Sequence, residues 1–107
     1  MAYRSAQVFI HNVLAGILKE TDQGYTFSYN EEYLKSERAV SVSLTLPLRD
    51  QAYVSATMFP FFDGLIPEGW LLEIFLKNWK LDAKDRMGLL LVACTDTIGS
   101  VTLKRLT

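Results

Sequence analysis

A chain of 107 residues, half of them hydrophobic, has the length of one domain, 1–107, and enough apolar material for a core without staples, which argues against disorder. Its formal net charge of −1 has both signs interspersed, and no Lys/Arg run is dense enough to track a phosphate backbone, so direct nucleic-acid binding is not expected. One cysteine and one histidine allow neither an internal disulfide nor a metal cluster, and nothing points to an oxidising compartment. The N-terminal stretch through Gln7 lacks the apolar region of a signal peptide, and no apolar run approaches the ~20 residues of a membrane span. A cytoplasmic protein with no membrane contact is expected.

In chain order, Gln7–Ile10 and Leu14–Leu18 read as the arms of a hairpin around His11-Asn12-Val13, with Asn12 taking the turn conformation that Asn tolerates. His11 then sits at a hairpin end, as an exposed turn residue. Thr21–Gly24 is a second turn, and Tyr25, Phe27 and Tyr29 alternate onto one face of a third strand. Asn30–Arg38 is polar and reads as a surface connection with one helical turn capped by Asn30. Val40–Leu46 alternates without a break, Val40, Val42, Leu44 and Leu46 on one side and Ser41, Ser43 and Thr45 on the other, which predicts a strand that Pro47 either ends or marks as an edge. A loop with a short strand near Tyr53 follows.

Met58–Trp70 turns the chain from strand-like to helical. Its prolines and glycines hold the backbone in turns, while its aromatics supply apolar bulk. A helix is expected from Ile66 or Pro67 to about Lys80, with Pro67 in its first turn and Glu68 complementing the helix dipole. At about 100° per residue, Leu72, Phe75, Leu76 and Trp79 form the core-facing stripe. Trp70 falls opposite, beside Glu73, Ile74 and Lys77, and is either covered by the preceding loop or presented as an anchor for another protein. Asp82 is the expected cap of a second helix from Ala83 to about Ala93, with Asp85 in its first turn. That helix is apolar almost all round and should be buried, Cys94 with it. A turn at Asp96–Gly99 leads to a last strand, Ser100–Lys104.

The fold expected is α+β: a curved antiparallel sheet of about five strands with two consecutive helices packed on it. No catalytic, cofactor-binding or metal-binding residue is predicted, and no enzyme. Asp63 and Glu68 are two neighbouring carboxylates, but capping accounts for them more simply than divided acid and base roles. The chain holds no nucleophile elbow, phosphate-cradling loop or dinucleotide fingerprint.

The order of motifs resembles the N-terminal subdomain of HipA-type serine/threonine toxin kinases. The opening hairpin Val8–Leu18, Phe27-Ser28-Tyr29, Ser43-Leu44-Thr45-Leu46-Pro47-Leu48, Phe61–Gly69 and Asp96–Val101 carry the resemblance, which spans nearly the whole chain. The Ser-Leu-x-Leu-Pro-Leu and Phe-Phe-Asp-x-Leu-x-Pro-Glu elements are its most specific parts. Where the family closes with Gly-Ala-Val, this chain has Gly99-Ser100-Val101.

The ATP-binding and catalytic portion that follows this subdomain in those kinases is not in the sequence, so the resemblance implies a freestanding version, similar to the HipS-like antitoxins of three-gene toxin–antitoxin systems. It implies as partners a HipA-like (HipT) kinase, which the small protein neutralises, and indirectly a HipB-like helix-turn-helix protein. On this reading Trp70 inserts into a kinase cleft, with Phe62, Asp63, Ile66, Glu68, Glu73 and Ile74 completing the patch. Two alternatives are a non-inhibitory assembly subunit and a small barrel-like domain with Phe59, Phe61 and Phe62 as walls of a ligand pocket.

Truncating the two tryptophans separates their roles. Trp79→Ala is expected to lower stability by ~3–5 kcal/mol, as aromatic truncations in cores do, whereas Trp70→Ala leaves the melting temperature nearly unchanged; denaturant and thermal unfolding read both.

Overall fold

Alternation and turn chemistry build the sheet. Ser5–Ile10 (β1) and Val13–Thr21 (β2) form a hairpin through His11 and Asn12, whose φ values of 49° and 66° put both in the left-handed region. That is the two-residue geometry whose twist matches its flanking strands. Val13 is therefore not part of the turn; it opens β2 and pairs with Ile10. The computed structural model describes residues 3–66, 69–80, 82–93 and 101–106, apart from the side chains of residues 69, 70, 75, 79 and 93.

Gly24–Tyr29 (β3) continues the meander. Gly24 has φ +137°, and a Cβ there would lie 2.1 Å from the Ser55 carbonyl oxygen, so the close approach of the next strand requires glycine. Tyr53–Ser55 (β4) pairs with β3 and Val101–Arg105 (β5) with β1, both antiparallel, in the order β4-β3-β2-β1-β5. The result is the α+β architecture the sequence predicts, an open five-stranded sheet. A register shift between Val8 and Phe9 marks a bulge in the β1–β2 ladder, a feature that bends a strand.

Helices cover one face of this sheet. Glu31–Leu34 (α1) is the expected single turn, with the Asn30 side chain accepting from the Glu32 N–H. Pro60–Asp63 (α2) is an additional short helix, in a stretch where the sequence suggests only turns, and Pro60 occupies its first turn. Gly69–Trp79 (α3) and Arg86–Ala93 (α4) are the two expected longer helices. Met87, Leu89, Leu90 and Leu91 of α4 are buried with Val8, Leu18, Phe27 and Leu103 of the sheet and Phe62 of α2. The Phe62 ring meets Phe27 edge-on at 5.3 Å and also touches Phe59 and Phe61. The expected placements of Pro67 and Glu68, of the Phe75 and Trp79 side chains, of Cys94 and of the Asp96–Gly99 turn lie outside the described residues.

Val40–Leu46 is not a strand, despite its alternation. Val42 and Leu46 are buried, but Val40 is half exposed and Leu44 lies in water. Two phenols take the backbone groups that a ladder would have used. The Tyr29 hydroxyl accepts from the Val42 N–H at 3.0 Å and donates to the Leu46 carbonyl; the Tyr33 hydroxyl accepts from the Val40 N–H and donates to its carbonyl. Burial raises the Tyr29 pKa, which keeps this donor protonated. The Tyr29 and Tyr33 rings stack at 6.3 Å, so the loop is fastened to the core from beneath.

The cap of α4 is Asp85, not Asp82. The Asp85 carbonyl accepts the first helical bond, from Leu89 N–H, and its Oδ1 accepts from Gly88 N–H at 3.1 Å. Asp82 instead closes the preceding turn, its Oδ1 accepting from Lys84 N–H at 2.9 Å. The same Asp85 carboxylate receives Nη1 and Nη2 of Arg4 at 3.0 and 2.6 Å, while Arg4 Nε and Nη2 reach Glu20 at 2.9 and 2.7 Å. One planar guanidinium thus joins β2, the start of β1 and the N-terminus of α4. A Cβ on Gly88 would sit 2.4 Å from Asp85 Oδ2, so glycine leaves room for this carboxylate.

Hydrogen bonds from Arg4 are the leading cause of a depressed carboxyl pKa at both Glu20 and Asp85. A depressed folded-state pKa stabilises above the unfolded value, and the effect fades as pH falls through the folded value. Arg4→Met is therefore expected to cost on the order of 2 kcal/mol at neutral pH, the scale of hydrogen bonds to charged groups. The deficit against the native chain should shrink as pH drops below the ordinary carboxyl values of 4.5 and 3.8, in urea unfolding measured across pH.

Candidate functional site

The residues singled out by sequence fall on α2, on the turn after it and on α3, and the structure divides them. Phe62 is fully buried and Ile66 nearly so, because α2 is held by its aromatic face against Phe27 and the turn folds Ile66 in behind it. That turn is closed by Gly64 N–H to the Pro60 carbonyl, Leu65 N–H to Phe62 and Ile66 N–H to Asp63. Neither Phe62 nor Ile66 presents a surface to a partner; both belong to the core. Ile66 also lies outside α3, so the helix does not start there, and the alternative start at Pro67 lies outside the described residues.

Asp63 is at the surface but not free. Its Oδ1 accepts from Arg86 Nε at 2.6 Å, an ion pair joining the end of α2 to the start of α4. The Asp63 carboxylate is thus held in a structural role, though as an ion pair rather than as the cap the sequence suggests.

On α3, Leu72 and Leu76 are partly buried and pack against the core, as the helical stripe predicts. Between them Glu73 is exposed, and Leu71 and Ile74 each keep 41% of their surface in water. Lys77 follows, and Lys80, with φ 52°, ends the helix in the left-handed region. The backbone of residue 70 is in the first turn of α3, one turn before Ile74; the Trp70 side chain and Glu68 lie outside the described residues. Leu71 is the contributor that the wheel overlooks: it borders the core stripe, where an apolar residue reads as buried.

The phenylalanines proposed as pocket walls pack on one another. Phe59 and Phe62 are 6.2 Å apart, Phe61 and Phe62 5.2 Å, each pair edge-on, so the rings fill the space a ligand would need. Among the described residues no three metal-ligating side chains gather, and no helix is long and apolar enough to cross a membrane. The exposed part of this region is thus the outer side of α3, where Leu71, Glu73 and Ile74 meet water.

Comparison with known proteins places this geometry. A protein from Haemophilus influenzae strain Rd, of uncharacterised role, is 33% identical over 101 residues, covering 94% of this chain and 92% of its relative. A solved structure of the N-terminal domain of HipA toxin superposes with a TM-score of 0.75 at 30% identity, covering 97% of this chain and 93% of that one. The family model of the HipA N-terminal domain matches residues 6–104. By sequence, by fold and over nearly its whole length, this chain belongs to the HipA N-terminal domain family.

Proposed function

We propose that this chain is an antitoxin that binds a separately encoded HipA-like serine/threonine kinase and neutralises it through the outer flank of α3. The observation that carries this reading is the exposure of Leu71 and Ile74 beside Glu73, on a helix whose Leu72 and Leu76 already serve the core. Membership of the HipA N-terminal domain family points to the kinase as partner, and the Haemophilus relative is itself of nearly this length. Trp70 is the proposed anchor, entering a kinase cleft and hindering its closure. A buried Trp removes about 150–250 Å² from water, and residues of this type dominate interface hot spots. Catalysis and cofactors have no part in this reading, and a HipB-like DNA-binding protein would be reached through the kinase.

Ile74→Asp and Trp70→Ala are each expected to weaken binding to the HipA-like kinase by about 2 kcal/mol or more, the scale of a hot spot, without moving the melting temperature. Calorimetry on the kinase recovered with the tagged native chain from its own cells measures this. Unchanged affinity in both variants would remove α3 as the interface. Recovery of no HipA-like kinase by the native chain would remove the antitoxin reading itself.

A further inference from the structure

The loop that replaces the expected strand presents one side chain to water more completely than any other large apolar residue among those described. Leu44 is 96% exposed. It occupies the second position of a β-turn closed by Leu46 N–H donating to the Ser43 carbonyl at 3.1 Å. The Ser43 hydroxyl accepts from Thr45 N–H at 3.2 Å and lies 2.9 Å from the Thr45 hydroxyl, so the polar groups of the tip satisfy one another. Both flanks are anchored: Val42 and Leu46 are buried, and the Tyr29 hydroxyl bonds the backbone of each.

Leucine contributes nothing to this turn. The second position of a β-turn suits most residues and favours proline, and a side chain wholly in water removes no apolar area from solvent. By itself a single exposed apolar residue is ordinary on a protein surface. This one sits on a mount pinned from below, where the ordering cost of binding has largely been met in advance.

We infer that Leu44 is a second docking point, separate from α3, that enters a leucine-sized apolar pocket on the partner kinase. Charge identifies the class of partner. From Val40 to Leu48 no residue is charged, so the tip has no cation with which to bind a phosphate backbone or an anionic lipid surface, and its match is a neutral apolar depression in a protein. The identity of that protein as the kinase rests on the antitoxin reading above. Two points of contact on one rigid body also raise affinity together, as linked modules do.

The test places a photo-crosslinking amino acid at position 44 and, as a control, at exposed Val54 in β4, each in the otherwise native chain, with the HipA-like kinase co-expressed. In parallel, kinase affinity is measured for Leu44→Asp and for Leu44→Met. A crosslink to the kinase from position 44 and not from 54, about a tenfold loss of affinity for Leu44→Asp, near-native affinity for Leu44→Met and unchanged melting temperatures are expected. Retention of the kinase by Leu44→Asp at native affinity, with no crosslink from 44, overturns the inference and leaves the α3 interface standing. Crosslinks from 44 that join two copies of this chain, or capture a nucleic acid, overturn it as well. If the native chain binds no HipA-like kinase, both the inference and the antitoxin reading fall.

Discussion

The placement of α3 depends on a series of contacts that begins at one guanidinium. Arg4 grips Glu20 of the neighbouring strand and the capping carboxylate of α4 at the same time, and α3 packs on α4. The Arg86–Asp63 pair then ties the start of α4 to the end of α2. Each ion pair lies at an element boundary, where the chain leaves regular structure and backbone groups want partners. The arrangement is economical in charge: Asp85 caps a helix through Oδ1 and pairs with Arg4 through Oδ1 and Oδ2. All three side chains of the Arg4 network keep 20–32% of their surface, so the desolvation cost is partial and the hydrogen-bond geometry decides the balance.

Beneath that frame the apolar core is asymmetric. The sheet is covered on one face, where the aromatic series Tyr33, Tyr29, Phe27, Phe62 and Phe59 runs from α1 across β3 to α2 and its approach. The two tyrosines do more than fill space. Their hydroxyls end in the 40–46 loop and hold it in place of a ladder, so the loop is fastened by side chains rather than by strand pairing. This chain thus exposes apolar residues on two supports fixed by its own core, the outer flank of α3 and the tip of the 43–46 turn.

Local signals carried the meander, the hairpin end at Asn12, the Asn30 cap and the strand near Tyr53, because turn chemistry and period-two alternation act over a few residues. They failed where a distant group competed. The alternation of Val40–Leu46 is genuine, yet the tyrosine hydroxyls that claim its backbone come from residues 29 and 33, and no window around residue 43 contains them. The α4 cap was misplaced by one turn because Asp82 and Asp85 are both good capping residues. What selects Asp85 is Arg4, 81 positions away, together with the absence of a Cβ at Gly88. At the candidate site the sequence shows the Phe-rich motif but not the burial of its residues. Phe62 sits beside charged Asp63 in sequence and Ile66 beside Pro67, and the packing of α2 against Phe27 and the turn after it put both inside. Ile74, by contrast, lies on the side of the helix opposite Leu72 and Leu76, which periodicity alone identifies.

A domain of this family attached to a kinase would owe part of its hold to the covalent connection, whereas a separate one must supply all of its affinity by contact. That requirement gives a physical reason for exposed apolar residues on rigid supports, and it makes inhibition, rather than binding alone, the claim to test. The most direct measurement is phosphate transfer by the purified HipA-like partner kinase as this chain is titrated in. The account predicts that activity falls to background at one equivalent of the native chain, while the Trp70→Ala chain requires a large excess. Activity that is unchanged or raised at saturating native chain would contradict it and assign the domain an assembly role instead.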